Sequence, residues 1–249
     1  MKSLLAKNLE QTLIKRRDIE RGVFLQRFFK TGPGEYGEGD LFLGLSVPSI
    51  RKDCIPYKAL ELNEIEKLLQ SPWHEVRLAA VILLAEQAKK AKDEKTQKTL
   101  AAFYLRHADR INNWDLVDTS AVAVLGPMVE KFGYEYLRPL IRSKLLWKRR
   151  MAMISTLYLI KKGEADLALT VAEALIDDRH DLMQKAVGWM LREVGKHASM
   201  AKLNGFLEKH AATMPRTALR YALERHPAFA KKRFMKLKDG IDLNIYEQR

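Results

Sequence analysis

Two short stretches of the 249-residue chain set an aromatic ring beside charged groups at helical spacing. The first is Asn112-Asn113-Trp114-Asp115-Leu116-Val117-Asp118. Trp114 and Asp118 are four residues apart, so on a helix a ring and a carboxylate project together from one side. Either asparagine can cap that helix, and Asp115 in the first turn complements the positive end of its dipole, a structural role. Asp118 lies too far along to cap. The same spacing also fits a core tryptophan beside a surface aspartate. The second stretch is Gln184-Lys185-Ala186-Val187-Gly188-Trp189-Met190-Leu191-Arg192-Glu193. Trp189 follows Lys185 by four residues and precedes Arg192 by three, and an aromatic between cations suits a sugar–phosphate backbone, although a helical tryptophan is more often core. Gly188 costs about 1 kcal/mol relative to alanine inside a helix, which predicts close approach of another surface.

The elements that must carry these residues are helical. Apolar residues recur with helical period, as in Leu145, Met151, Ile154, Leu157 and Tyr158, or Met183, Ala186, Val187, Met190 and Leu191, and no run alternates as a strand would. Breaks are expected at Ser71-Pro72, Gly126-Pro127, Gly163, Asp177-Asp178 and Met214-Pro215, giving helices of about 10 to 18 residues joined by short turns. Residues 31–48 differ. They hold Gly32, Gly34, Gly37, Gly39 and Gly44 without the Gly-Lys-Ser/Thr ending of a phosphate loop, and read as a flexible connection after an N-terminal helix. A weak repeat follows, anchored at Arg77, Asp118, Arg150, Lys185 and Arg216 with intervals of 41, 32, 35 and 31 residues, the range of HEAT-like helix pairs. Stacked pairs put equivalent positions on one face, so these five residues, four cations and one anion, are expected to share a surface.

Composition narrows the function. The net charge is +13, and the excess lies in two blocks: residues 131–162 with 9 basic and 1 acidic group, and 179–238 with 14 and 4. Residues 1–130 are nearly balanced, with 20 basic and 18 acidic. Concentrated positive charge is the footprint of a polyanion binder. The longest apolar run, Leu78 to Ala85, is far short of the roughly 20 residues of a membrane-spanning helix, and the N-terminus lacks a secretory apolar core. Cys54 is the only cysteine, so there is no internal disulfide and no cysteine-built metal site, and the expected compartment is the cytoplasm. The histidines, 74, 107, 180, 197, 210 and 226, offer no pair at metal-ligand spacing, so no metal is expected. Met128, Met151, Met153, Met183 and Met190 read as core filler.

The chain resembles the AlkD family of DNA alkylation repair proteins, alkylpurine DNA glycosylases built from HEAT-like repeats. The resemblance runs from Phe42-Leu43-Gly44-Leu45-Ser46-Val47-Pro48-Ser49-Ile50-Arg51 through Asn113-Trp114-Asp115-Leu116-Val117-Asp118 and Trp147-Lys148-Arg149-Arg150 to Gln184–Glu193. It implies that Asp118 is catalytic, that Trp114 and Trp189 cup the damaged nucleotide, and that Arg150 contacts the backbone near the lesion. Asn113 stands where some members carry a second tryptophan. The resemblance also implies that the damaged base need not be swung into a pocket.

Together these readings give an all-α, right-handed solenoid of HEAT-like helix pairs in a single domain, 1–249. They give a glycosylase that releases N3-methyladenine and N7-methylguanine from duplex DNA. Asp118 is its catalytic carboxylate, Trp114 and Trp189 meet the lesion and its deoxyribose, and Arg77, Lys148, Arg149, Arg150, Lys185 and Arg192 hold the DNA backbone. No cofactor, metal or membrane is expected, and the chain is expected to act as a monomer. The same features also fit a non-catalytic DNA-binding relative or a HEAT scaffold for an acidic protein; the presence of Asp118 with both tryptophans argues against the first.

Overall fold

Leu9 and Leu13, one helical turn apart, are both fully buried on the first helix, α1 (Ala6–Lys15). The same periodic burial recurs through the computed structural model, which describes residues 5–238. The fold is all-α, and among the described residues no strand forms beyond an isolated parallel bridge between Leu41 and Trp73. The chain divides into two compact units, Met1–Leu125 and Gly126–Arg249.

Unit 1 holds α1, α2 (Ile19–Gln26), α3 (Val47–Cys54), a 3-10 turn (Ile55–Tyr57), α4 (Leu62–Leu69), α5 (His74–Lys90), α6 (Glu94–Arg106) and the start of α7 (Trp114–Ile141). Helix α5 is its spine. Nearly every residue of α5 from His74 to Ala85 is buried, because α1, α3, α4 and α6 pack around it. Unit 2 holds the rest of α7, α8 (Leu146–Ser155), α9 (Leu157–Ile160), α10 (Asp166–Leu175), α11 (Asp181–His197), α12 (Met200–His210), α13 (Arg216–Ala222) and α14 (Ala228–Lys238). Here α11 is the central helix, packed by α8, α10, α12 and α13. Met128, Met151, Met153, Met183 and Met190 are all buried core residues.

Four of the five expected breaks fall between helices. Gly126-Pro127 does not: α7 runs through it and leaves helical geometry only at Gly133 (φ 59°, ψ −141°). The space that Gly126 leaves open is filled by the ring of Tyr158, so tertiary packing outweighs the local tendency to break. Three of the five repeat anchors share a register, since Asp118, Arg150 and Lys185 are each the fifth residue of their helix; Arg77 is the fourth of α5 and Arg216 the first of α13.

The segment 31–48 departs from the expected flexible connection. Two helices precede it rather than one, and its second half is fixed. The buried carboxylate of Glu75 accepts the backbone N–H groups of Leu43 and Gly44, both at 2.8 Å, and of Leu45 at 3.3 Å. Gly44 adopts φ +83°, and a β-carbon there would meet the Asp18 carbonyl at 2.3 Å, so glycine is required for both conformation and space. Leu43 and Leu45 then enter the core.

Gly188 meets the expectation of a close approach. A β-carbon on it would lie 2.4 Å from the Ala218 carbonyl oxygen and 2.5 Å from Cβ of Tyr221, both on α13. Gly205, exposed on α12, would meet nothing within 4 Å. Gly188→Ala should therefore destabilise the protein by roughly 1–3 kcal/mol through overpacking, while Gly205→Ala should stabilise it by about 0.5–1 kcal/mol through helix propensity. Urea unfolding of the two variants checks the opposite signs.

Candidate functional site

Burying charge is tolerated only where charges pair, and around the start of α7 unit 1 buries Asp40, His74 and Arg77 beside a part-buried Asp115. His74, the first residue of α5, is 3% exposed. Its Nε2 lies 2.7 Å from Asp115 Oδ2 in the first turn of α7, and its Nδ1 faces Asp40 Oδ2 at 3.7 Å. Asp40 in turn holds Arg77, with Nη2 2.6 Å from Oδ1. The other arm of Arg77 donates to the Ser71 carbonyl at 2.9 Å. Burial opposes a charge on His74, but Asp115, with help from Asp40 and Glu75, outweighs it and raises the imidazole to about 9. At neutral pH the ring is thus an imidazolium donating to Asp115. Burial likewise works against the Asp40 carboxylate, yet His74, Arg77 and Asn112 hold it below the usual carboxylate range.

An aromatic stack covers this chain of charges. Phe42 lies over His74 (4.9 Å between centroids), Phe29 over Phe42 (5.0 Å), and Trp114 against Phe29 (5.5 Å, 21° between planes). Trp114 remains half-buried. Asn113 is fully buried, its Oδ1 accepting the Trp114 N–H at 2.8 Å, so of the two asparagines it is the cap. Asn112 is turned instead towards Asp40, at 3.2 Å. Asp118, one turn beyond Trp114, is half-buried. The buried Tyr104 hydroxyl, hydrogen-bonded to Ser120 at 2.8 Å, is pushed above its ordinary value by burial and further by the Asp118 charge.

The structure therefore gives Asp115 a stronger structural role than dipole complementation, as the counter-ion of a buried imidazolium. It also corrects two of the five shared-surface residues. Arg77, expected on a DNA-facing surface, is 1% exposed and locked to Asp40, out of reach of a phosphate. Arg150 is 4% exposed, and its Nη1 donates to the Leu182 carbonyl at 2.5 Å, joining α8 to α11. Spacing repeated along the chain, but depth did not, because neighbouring helices cover these two positions.

In unit 2 the remaining expected cations differ in availability. Arg149 is bound to Asp178 at 2.6 Å and to the carbonyls of Ser143 and Lys144. Arg192 is paired with Glu193 at 2.9 Å and with Glu224. Lys185 forms an exposed pair with Asp181 at 2.7 Å, and Lys148 is half-exposed. Trp189 is half-buried, its Nε1–H donating to Glu193 at 3.2 Å.

His74, Asp40, Phe29 and Phe42 were not singled out from sequence. The weak signals were His74 at a helix start after Ser71-Pro72-Trp73 and aromatics on both sides of the glycine-rich segment; neither shows partners so distant in sequence. Cys54 is buried, and burial raises its thiol to about 12, which leaves it unreactive. Among the described residues no three His, Cys, Asp or Glu side chains cluster as metal ligands, and no helix is long and apolar enough to cross a membrane.

The all-α architecture recurs among solved structures. A predicted DNA alkylation repair enzyme from Enterococcus faecalis matches with a TM-score of 0.66 and 17% identity, covering 86% of this chain and 98% of that one. No curated protein sequence matches. The model of the DNA alkylation repair enzyme family matches residues 9–226, and the chain belongs to that family. DNA is accordingly the partner its family implies.

A histidine whose folded pKa is raised stabilises the protein fully below its unfolded value of about 6.5 and loses that contribution as pH rises through about 9. Urea unfolding at pH 6, 7.5 and 9 should show stability falling by on the order of 3 kcal/mol across this window. In His74→Gln the decline should disappear, with lower stability at pH 6.

Proposed function

We propose that this chain is a monofunctional DNA glycosylase that hydrolyses the N-glycosidic bond of cationic alkylpurines, N3-methyladenine and N7-methylguanine, in duplex DNA. It is proposed to work as a monomer in the cytoplasm without metal or cofactor. A purine alkylated at N3 or N7 is positively charged and leaves without a general acid. One carboxylate then suffices, where ordinary glycosidases need two. Asp118 stabilises the oxocarbenium-like sugar electrostatically and orients the attacking water. Trp114 and Trp189 offer ring faces to the cationic deoxyribose, a cation–π contribution of about 0.5 to 2 kcal/mol each.

The observation that carries this reading is the pairing of a ring and a carboxylate one helical turn apart at the start of α7: Trp114 and Asp118 are both half-buried and lie on the same side of the helix. Asp115, between them, is held by the buried His74. Low local dielectric strengthens what a single carboxylate can do for a developing cation.

Asp118→Asn keeps shape and removes the charge. Losing about 3 to 4 kcal/mol of transition-state stabilisation should slow single-turnover release of N7-methylguanine by roughly 10² to 10³, with affinity for undamaged duplex held or tightened. Asp115→Asn should register mainly in thermal stability, by about 3 to 5 kcal/mol, because it strands a buried charge. Excision by Asp118→Asn at the parental rate would overturn the assignment.

Among the cations expected at the DNA backbone, Lys185 keeps 40% of its side chain exposed and Lys148 is half-buried, Arg149 and Arg192 are tied to carboxylates, and Arg150 is buried. The double variant Lys148→Gln with Lys185→Gln should weaken binding irrespective of DNA sequence. It should also flatten the dependence of log K on log salt by about 0.9 for each phosphate no longer neutralised. An unchanged slope removes both lysines from that role.

A further inference from the structure

We propose that His74 is a positioning residue for the lesion-binding face of Trp114, acting through Asp115 and through the Phe29–Phe42 stack; this rests on the reading of Trp114 and Asp118 as the functional site. The geometry gives His74 two routes to one indole. Through Nε2 it holds the side chain of Asp115, the residue next to Trp114, at 2.7 Å. Through its ring it supports Phe42 and Phe29, at centroid distances of 4.9 and 5.0 Å, and Phe29 is the surface against which Trp114 rests. The ring is itself fixed from behind by Asp40, which Arg77 anchors.

These interactions join three segments far apart in sequence: the 31–48 connection, the start of α5 and the start of α7. A tryptophan held on one face by a stacked ring and at its backbone by a tethered neighbour has little freedom to tilt. Aromatic recognition of a cationic sugar depends on the ring face being presented at a set angle. The arrangement needs a donor at Nε2 facing Asp115, which both the imidazolium and the neutral Nε2–H tautomer supply, but only the imidazolium adds a charge opposite to that of Asp115 and a second donor facing Asp40. The charged groups facing it are Asp115 from α7, Asp40 from the connection, and Glu75 and Arg77 from α5. Deprotonation weakens the attraction between α5 and α7 at this point, so Trp114 should respond to the titration of His74.

The first test uses the parent protein alone. In two-dimensional NMR the Trp114 indole N–H, assigned by its loss in Trp114→Phe, should shift with the same midpoint as the His74 ring, near pH 9. The second is single-turnover release of N7-methylguanine across pH 6 to 9.5, with spontaneous release subtracted. His74→Gln should lower the rate about tenfold at pH 7 while affinity for undamaged duplex stays within twofold, and it should remove a high-pH decline that the parent shows. A purely structural histidine would leave the pH profile of the folded variant unchanged. An indole resonance indifferent to the His74 titration overturns the proposal, as does a folded His74→Gln protein that keeps the parental rate and profile. If the parent releases no methylated base, the glycosylase reading fails, and the NMR coupling still decides whether His74 positions Trp114.

Discussion

The pairing of buried charge at the junction of α5 and α7 is the constraint on which the rest of unit 1 depends. Arg77, Asp40, His74 and Asp115 form a continuous series of alternating sign, in which each inner member faces an opposite charge on both sides. Removing any one strands its neighbours in a low-dielectric interior, an effect of about 3 to 5 kcal/mol. The series therefore acts as a registration device. It admits only the placement of the glycine-rich segment that delivers Asp40, and only the start of α7 that delivers Asp115. Glu75, adjacent to His74, adds a second clamp by gathering three backbone N–H groups of the same segment. Thus two neighbouring residues at the start of one helix fix a long connection from two directions.

That fixation bears on the chemistry proposed for Asp118. Trp114 and Asp118 sit on the first two turns of α7, and their presentation can be no more exact than the seating of that helix. Its first turn is seated by an ion pair to His74, by the Asn113 cap and by an aromatic stack, three interactions of different physical kind. Electrostatic stabilisation of a developing cation gains from such preorganisation because the carboxylate need not reorient as charge appears.

Unit 2 distributes its positive charge in a different way. The sequence places a large basic excess there, but much of its arginine content joins helices together: Arg149 to the turn before α11 through Asp178, Arg150 to the first turn of α11, Arg192 to Glu193 and Glu224. Arginine suits this use because its planar fork satisfies carbonyls and carboxylates simultaneously. Lys185 keeps more of its side chain in solvent, 40% against 19% for Arg149 and 20% for Arg192, where a compact, strongly hydrated charge is more stable.

The sequence by itself determined whatever depends on local periodicity. Helices, four of the five breaks, the buried methionines, the close approach at Gly188 and the common side of Trp114 and Asp118 all follow from spacing along one chain segment. What only the tertiary structure decided is depth and partnership. Arg77 and Arg150 were expected as surface anchors from their spacing, yet lie buried because flanking helices cover them, and spacing carries no information about what packs outside a helix. Residues 31–48 read as flexible from their glycines, but Glu75 and the charge series order their second half from 30 or more residues away. His74 carries no local mark of importance, since its role comes from carboxylates 34 residues before it and 41 after it. A helix period reports which residues share a face; only folding reports what that face meets.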